Sequence, residues 1–378
     1  MAIKIFFAGD FVSGPDPALI HVSEELKAQI QECDIRCVGF EVPLKPQGME
    51  RPMKPYRAYY QHDKAPQFLK ELGFNVIPFC SNHTFDCKLE GFFKTKEALG
   101  ETTFGSGTYE EAYRIKVMEV GAVKIGFMAV CYAAIQGVFD DVTNHEGYGC
   151  AYINDMRVNH VIHEAKQQVD YLFVLPHDGI EYLDAPMPEI IARYHDFIDW
   201  GADGVMASHP HSPQGWENYK GKPIFYSLAN FFFNSTKDTS WVAKEPHWYE
   251  GRCVKLTIDG TEMSWEVINT RNVRNEALVI DNSEESKLHN ELIRGYLQDK
   301  EAYNAYMMPV QEDQFRKDMR LIQKTFKPKT VREAIRVLKE CVKMRLHGQK
   351  PMTGGKMMYM LKNDLKRYRI VRMLASQK

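Results

Sequence analysis

Histidines, carboxylates and one carboxamide follow short apolar runs at several points of this sequence, and their types suit metal binding. The clearest case is the run 201–211 (GADGVMASHPH), in which a strand-like pattern leads into His209 and His211. Pro210 stiffens the turn between the two imidazoles, because proline fixes its own φ and has no N–H. Imidazoles suit divalent ions such as zinc and iron. We therefore expect His209 and His211 to bind metal.

Further stretches place side chains of the same kinds after predicted strands. A set of oxygen and imidazole ligands without thiolate favours Mn, Fe or Zn over Ca or Cu(I). A single histidine after a strand is more often a hydrogen-bonded core residue. Five such positions, which we expect at the same edge of one predicted sheet, favour a metal site instead. The other four stretches are Gly9-Asp10, Gly39-Phe40-Glu41, Ser81-Asn82-His83-Thr84-Phe85-Asp86 and Pro176-His177-Asp178-Gly179-Ile180-Glu181-Tyr182.

The elements that position these side chains alternate in type as far as about residue 270. Short β-like runs are interleaved with amphipathic helical patterns, which predicts an α/β fold whose strands are buried on both faces. Ligands usually bind beyond the carboxyl ends of such strands. The strand runs are 3–8, 35–40, 75–79, 123–130, 171–175, 204–207 and 224–228, the helical patterns are 65–72, 89–99, 155–169 and 189–200, and a hairpin is expected over 254–267.

Beyond about residue 284 the strand signal stops, and apolar positions recur at helical spacing. We therefore predict two domains, 1–284 and 285–378. Residues 291–378 contain 21 Lys and Arg against 9 Asp and Glu, which leaves 27 against 41 for the rest of the chain. The basic tail is typical either of an amphipathic helix at an anionic membrane surface or of a helical bundle packed on the core with a solvated basic face. Nucleic-acid binding has no supporting motif.

The composition, with 44% hydrophobic and 26% charged residues, is typical of an ordinary soluble globular protein. No stretch approaches the roughly 20 apolar residues that cross a bilayer, and the apolar N-terminal run is too short for a signal peptide. The eight cysteines form no CxxC pair, which favours reduced, buried thiols. We expect a cytoplasmic protein, peripheral at the inner face of the membrane if the tail binds lipid.

The order and spacing of the motifs resemble those of the bacterial CapA-type capsule synthesis proteins, the PGA_cap family, which are relatives of the calcineurin-like metallophosphatases. The motifs that carry the resemblance are GD, an acidic residue after the second strand, NHxxD, HxGxEY, GADxVxxxHPH and YSLxNF. They cover roughly residues 3–270. The resemblance implies a metallophosphatase-like four-layer αββα sandwich with two metals at the strand ends, and it leaves the tail as a C-terminal helical extension.

The resemblance also implies a role for each matching residue. Asp10 and His211 are expected to hold one metal, with Glu41 bridging or completing that site. Asn82, His177 and His209 are expected to hold the other. His83 matches a histidine that assists departure of the leaving group, and we expect Asp86 to orient it. The residues expected to contact substrate are Glu181, Tyr182, Asn230 and Phe231.

Two departures from the pattern concern the first metal. Asp10-Phe11-Val12 stands where metallophosphatases have Asp-x-His. Gly39-Phe40-Glu41 stands where the capsule family has Asn-x-Glu. Both departures predict that the first metal is weakly held or lost. The segment 230–249, rich in aromatic residues, is expected to form either a lip that binds a ring or part of the core.

The function that we predict is metal-dependent hydrolysis of a phosphoester in capsule or other envelope-polymer synthesis. Two divalent ions, Mn, Fe or Zn, would serve as cofactors, and the substrate would be an anionic small molecule or polymer. One alternative is a factor for synthesis or hydrolysis of the amide polymer poly-γ-glutamate. The other is a non-catalytic scaffold within an envelope-polymer complex that retains a degraded metal site.

Overall fold

The apolar runs of the sequence form strands, most of them at the predicted positions. The computed structural model describes residues 2–49, 59–133, 137–139, 147–234 and 245–326, and the side chains as far as residue 316. In these residues the strands are β1 (Ile3–Ser13), β2 (His21–Val22), β3 (Ile35–Phe40), β4 (Ile77–Pro78), β5 (Thr103–Phe104), β6 (Ser106–Gly107), β7 (Lys116–Val120), β8 (Val123–Cys131), β9 (Gly149–Cys150), β10 (Tyr171–His177), β11 (Gly204–Met206), β12 (Gln214–Tyr219), β13 (Lys222–Ser227), β14 (Asn230–Asn234), β15 (Glu250–Asp259), β16 (Glu262–Val273) and β17 (Ala277–Ile280).

The helices also follow the predicted patterns, and several begin at residues that favour helix starts. Ser23 and Asp155 accept hydrogen bonds from backbone N–H groups of the first turn, which satisfies donors that the helix itself leaves free. Pro188 stands at the first position of its helix, where a missing N–H costs nothing. The helices are α1 (Glu24–Gln31), α2 (Ala65–Glu71), α3 (Lys88–Leu99), α4 (Tyr109–Ala112), α5 (Met156–Lys166), α6 (Pro188–Asp199), α7 (Glu284–Gln298) and α8 (Lys300–Phe326).

Two large mixed sheets form from these strands. Within the described residues, the first sheet has the order β14-β1-β15-β16-β17-β2, with β3 pairing on β1, and the second has the order β12-β13-β11-β10-β8-β7. In the first sheet β1 runs parallel to β3 and β14 but antiparallel to β15. In the second sheet β8, β10, β11 and β13 run parallel. The parallel strands therefore bring their carboxyl ends to a common edge of each sheet.

The two sheets pack face to face through aromatic side chains. The ring centroid of Phe7 on β1 lies 6.2 Å from that of Phe127 on β8 and 5.3 Å from that of Phe173 on β10. Helix α1 packs on the first sheet, and α5 and α6 pack on the second. The order of layers is thus helix, sheet, sheet, helix. The four-layer αββα sandwich expected from the sequence is confirmed.

One expectation about the sheets is wrong. The strands that carry or precede the five predicted ligand stretches do not belong to one sheet: β1 and β3 lie in the first, β10 and β11 lie in the second, and β4 forms a separate two-stranded sheet with β5. Apolar runs reveal that a strand is buried on both faces, but they carry no information about its pairing partner. The ligand stretches meet because the edges of the two stacked sheets lie side by side.

The chain divides into two compact units, Met1–Gln298 and Asp299–Lys378. Helix α7 belongs to the first unit and packs on β12. Helix α8 is the described part of the second unit, and the helical patterns expected over 331–346 and 361–371 lie outside the described residues. The division predicted at residue 284 stays a prediction.

Two further expectations concern thiols and membranes. The seven cysteines of the described residues are all buried, as expected, and Cys341 lies outside those residues. Burial raises the pKa of the Cys33 thiol to about 11, so that thiol stays protonated near neutral pH. Across the described part of the chain, we find no helix with the length and hydropathy to span a bilayer.

Candidate functional site

Asp10 lies at the centre of the predicted site because β1 is bulged beside it. The register of β1 with both neighbouring strands shifts at this residue, and bulges commonly re-aim a side chain next to an active site. Gly9 permits the close approach of β14, since a Cβ there would lie 2.0 Å from the carbonyl oxygen of Ala229. The buried carboxylate accepts hydrogen bonds from the Ser208 hydroxyl at 2.7 Å and the His209 backbone N–H at 2.9 Å. Asp10 is therefore fixed in one orientation.

The first predicted metal set comes together around Glu41. This carboxylate follows β3, is 1% exposed and places Oε1 3.7 Å from Nε2 of His211 and 3.8 Å from Nε2 of His83. Asp10, Glu41 and His211 each offer a ligand atom, and these three atoms lie within 4.8 Å of one another. Two carboxylates and one imidazole are donors that a borderline divalent ion accepts.

The second predicted metal set converges on His177 at the end of β10. Its Nε2 lies 2.9 Å from Oδ1 of Asn82 and 3.2 Å from Nδ1 of His209. Its Nδ1 faces Asp10 across 3.5 Å, so the imidazole stands between the two sets. The structure thus brings together all six predicted ligands, in the two groups of three that the resemblance implies.

The turn between the two sets has an unusual backbone. His209 and His211 both have positive φ, +101° and +57°, a conformation that costs energy for residues with a Cβ. The hydrogen bond from the His209 N–H to Asp10 holds the first of them in place. Strained positions of this kind cluster at functional sites, which agrees with a ligand role for both histidines.

His83 and Asp86 form a hydrogen-bonded pair beside the first set. Nδ1 of His83 lies 2.6 Å from Oδ2 of Asp86, and the same oxygen accepts the backbone N–H of Tyr59 at 2.8 Å. A carboxylate has no hydrogen to donate, so Nδ1 must donate. This fixes the tautomer of a neutral His83 and directs its Nε2 towards Glu41. The predicted acid and its orienting residue are therefore in contact.

The electrostatics of the site keep its ligands in the forms that bind cations. Burial lowers the pKa of His211 below its ordinary value, against the opposing charges of Asp10 and Glu181. Burial alone would raise the pKa of Asp10, but the His177 and His211 imidazoles and the Ser208 hydroxyl together outweigh it and the pKa is lowered. A neutral imidazole and an ionised carboxylate are the ligand forms that metals require.

The four predicted substrate contacts occupy different places. The Tyr182 ring stacks on the His211 ring, with centroids 6.2 Å apart, and the neighbouring Glu181 side chain is exposed. Asn230 does not face open space: its Oδ1 lies 2.8 Å from Nδ1 of His211 and its Nδ2 donates to the Trp248 carbonyl. It orients His211 so that Nε2 faces Glu41.

Phe231 is not brought to the site. Because successive side chains of a strand alternate between faces, it points away from Asn230 and packs edge-on against Phe74 in the core. A substrate contact from this 1% exposed ring is not supported. Of the aromatic segment 230–249, Phe233 and Trp248 are buried and pack on the His211 ring, at 5.3 Å each, whereas Trp241 lies outside the described residues. The described aromatic residues thus belong to the core interpretation.

Sequence reasoning missed two supporting residues. Ser208 bonds to Asp10, and the Tyr59 ring meets the His83 ring edge-on with centroids 5.1 Å apart. Ser208 is part of a motif, so its position at a strand end was an available signal. Tyr59 precedes no motif and is brought to His83 only by the fold.

Comparison with known proteins places this geometry in a family. Residues 4–235, more than half of the chain, match the family described as bacterial capsule synthesis protein PGA_cap. The chain belongs to this family. The chain is 28% identical over 243 residues to the capsule biosynthesis protein CapA of Bacillus anthracis, and the match covers 61% of this chain and 57% of that protein. It is 28% identical over 212 residues to the PGA biosynthesis protein CapA of Bacillus subtilis (strain 168), which covers 51% and 55%.

The chain therefore spans little more than half the length of the curated PGA_cap relatives that it matches. Among solved structures, it is similar to a novel phosphatase from Mycoplasma pneumoniae, with a TM-score of 0.41, 13% sequence identity and coverage of 76% of this chain and 97% of that one.

Proposed function

We propose that this PGA_cap protein is a metal-dependent hydrolase of the phosphoesterase type that acts in the synthesis of capsule or another envelope polymer. One observation carries the proposal. Six buried or nearly buried donors from both sheets form two groups of three around Asp10 and His177, and the His83–Asp86 pair lies beside them. The Nε2 of His83 lies 3.8 Å from Oε1 of Glu41, which supports a role for this imidazole beside the first group.

The donor set fits two divalent ions. Asp10, Glu41 and His211 would hold one ion, and Asn82, His177 and His209 the other. Bound there, two ions would supply Lewis acidity, which makes water more acidic and neutralises charge on the oxygens of an ester. The absence of thiolate from both groups favours Mn, Fe or Zn.

The other residues of the site orient the proposed acid and the ligand Asp10. Asp86 holds His83 in one tautomer, as a buried carboxylate orients the imidazole of other hydrolytic sites. In the imidazolium form, with Nδ1 donating to Asp86, the Nε2 of His83 carries the proton that a leaving alkoxide needs, and general acids of this kind contribute roughly 10²-fold to 10⁴-fold. Ser208 and the His209 N–H keep Asp10 pointed at the site.

Assays with generic esters test the proposal. The purified chain is loaded with Mn²⁺, Fe²⁺ or Zn²⁺ and given a p-nitrophenyl phosphomonoester and a bis-p-nitrophenyl phosphodiester. We expect turnover that a chelator abolishes and that His83→Ala lowers. The exposed His163 on α5 offers a matched control, because His163→Ala leaves both groups of ligands intact. Absence of turnover with all three metals would contradict the proposal.

A second function is favoured by the names of the relatives, one of which is a PGA biosynthesis protein. An amide of poly-γ-glutamate would bind at the same two-metal site, with His83 protonating the departing amine. Incubation of the metal-loaded chain with the polymer, followed by chromatography of its length, tests this reaction. Metal binding without turnover on either ester or amide would favour the scaffold alternative.

The cellular location that we propose is the cytoplasm, at the inner face of the membrane. The basis is the excess of basic over acidic residues after position 290. Residues 327–378 of this part of the chain lie outside the described residues. Flotation with anionic liposomes tests it, and we expect loss of binding when residues 325–378 are deleted. Equal recovery with and without these residues would remove the membrane role.

A further inference from the structure

A second group of buried titratable residues surrounds Glu250 at the start of β15. The Glu250 side chain is 1% exposed, and its two oxygens lie 2.9 Å from Nδ1 of His247 and 2.8 Å from Nδ1 of His289. The buried Arg252 guanidinium donates to the same carboxylate at 3.0 Å. Burial opposes ionisation, but these partners hold the pKa of Glu250 well below its ordinary value. Glu250 is therefore an anion that accepts a hydrogen from each imidazole.

The second nitrogen of the His289 imidazole, Nε2, lies on the side of the ring away from Glu250. With the hydrogen on Nδ1, a neutral ring carries its lone pair on Nε2. Among the described residues, this buried Nε2 has no hydrogen-bond partner, and leaving such an atom unsatisfied costs about 1–3 kcal/mol. It faces Oδ1 of Asp184 at 4.0 Å. That gap is too long for a hydrogen bond, but a cation with bonds of about 2.0–2.2 Å would reach both atoms.

His247 supplies a third donor on the same side. Its ring stacks on that of His289, with centroids 3.7 Å apart and planes 16° from parallel. Since both Nδ1 atoms point at Glu250, both Nε2 atoms lie away from it. Ligand atoms of Asp184, His247 and His289 lie within 4.8 Å of one another. The His247 side chain is 22% exposed, so the open side of this group is the His247 side.

We propose that Asp184, His247 and His289 bind one divalent transition-metal ion of the zinc type, and that Glu250 orients the two imidazoles. Two imidazoles and a carboxylate are a donor set that Zn²⁺ and Co²⁺ accept. A carboxylate that accepts the second N–H of a ligating histidine is the usual outer partner in such sites. None of the residues assigned to hydrolysis takes part, so the inference is independent of the proposed function.

The position of this site predicts a structural role for the ion. Asp184 follows the segment that contains Tyr182, and His247 directly precedes Trp248. Both aromatic rings pack on the ring of His211, with centroids 6.2 Å and 5.3 Å from it. An ion held by Asp184, His247 and His289 therefore ties two wall segments of the strand-end ligands to helix α7.

Metal counting on the full-length chain tests the proposal. The protein is stripped with a chelator, titrated with Zn²⁺ and analysed for bound zinc by mass spectrometry. We expect Asp184→Asn, which preserves size and hydrogen bonding, to bind one equivalent less than the unchanged protein. Asp196→Asn is the matched control, because Asp196 is an exposed aspartate on α6 whose side chain is 59% exposed. It should keep the full zinc content.

A second measurement keeps the proposal independent of variant folding. Crystals of the unchanged protein soaked with Zn²⁺ should give an anomalous peak about 2.0–2.2 Å from Nε2 of His289. Equal zinc content in Asp184→Asn and the unchanged protein, or no anomalous peak near His289, would overturn the proposal. Hydrolytic activity is no part of either readout, so failure here leaves the ester assays unaffected.

Discussion

Two buried groups of carboxylates and imidazoles in this molecule use the same residue types in different ways. In the strand-end site, formed by the six predicted ligands with His83 and Asp86, Glu41 stays 3.7–3.8 Å from two imidazole nitrogens. In the Glu250 cluster, formed by Asp184, His247, Glu250 and His289, the central carboxylate bonds directly to two imidazoles at 2.8–2.9 Å. The two carboxylates differ in their relation to their histidines: Glu41 lies beyond hydrogen-bond distance of both imidazoles, whereas Glu250 hydrogen-bonds to both of its histidines and orients their rings.

The largest expected effect concerns His83 in the strand-end site. His83→Ala should lower kcat for the phosphodiester by about 10²-fold to 10⁴-fold, because it removes a general acid. Bound manganese should stay unchanged, since His83 is not one of the six expected ligands. Steady-state kinetics and metal analysis on the same preparation check both parts.

The corresponding change in the other region provides the contrast. His247→Ala should leave kcat within a fewfold of the unchanged protein, because His247 belongs to the Glu250 cluster and holds no proton for the reaction. Equal and large losses of kcat in both variants would erase the distinction between the two regions.

The next effect concerns stability and belongs to the Glu250 cluster. Glu250→Gln should lower the free energy of unfolding at pH 7 by about 3–5 kcal/mol, since it leaves the buried Arg252 without its counter-charge. Urea unfolding with a chelator present measures the change without a contribution from bound metal. The exposed Glu276 provides the control, and Glu276→Gln should unfold like the unchanged protein.

The difference in unfolding free energy between the unchanged protein and Glu250→Gln is expected to depend on pH. The folded pKa of Glu250 is lowered, so the folded state binds fewer protons there than the unfolded chain. The stability that Glu250 contributes is therefore complete above its ordinary pKa of 4.5 and is lost as pH falls towards the folded value. The difference in unfolding free energy between the unchanged protein and Glu250→Gln should shrink as pH falls below about 5. A difference that grew as pH fell below that value would refute this assignment.

The smallest effect concerns Gly39, where the family's Asn-x-Glu pattern is broken. A Cβ at this position would lie 2.7 Å from Oδ1 of Asp10, so Gly39→Ala should displace that carboxylate. We expect Mn²⁺ affinity about 10-fold to 100-fold weaker, the range seen when the support of a ligand is disturbed. Gly295→Ala on α7 is the control, because its Cβ would meet open space. Isothermal titration calorimetry compares the two, and equal affinities would place Asp10 outside the metal site.

The contrast between the regions also explains what could be read from the sequence. The strand-end ligands were predictable because each lies close to the end of an apolar run such as 3–8 or 171–175, and stacked sheets align such ends. The pairing of those strands into two sheets was not predictable, because an apolar run carries no information about which strand it pairs with. The Glu250 cluster joins two loop residues, a strand start and a residue of α7, and no spacing between Asp184 and His289 signals their contact. Phe231 was misplaced because a motif does not say which face of the strand each residue occupies.

The most direct test of the central claim, that the strand-end site is a two-metal hydrolytic centre, is anomalous diffraction from a crystal soaked with Mn²⁺ and inorganic phosphate. We predict two peaks about 3.5–4 Å apart, one ligated by Asp10, Glu41 and His211 and the other by Asn82, His177 and His209. Phosphate should lie beside both peaks and within hydrogen-bond distance of Nε2 of His83. A map with no manganese peak among these six residues would contradict the account.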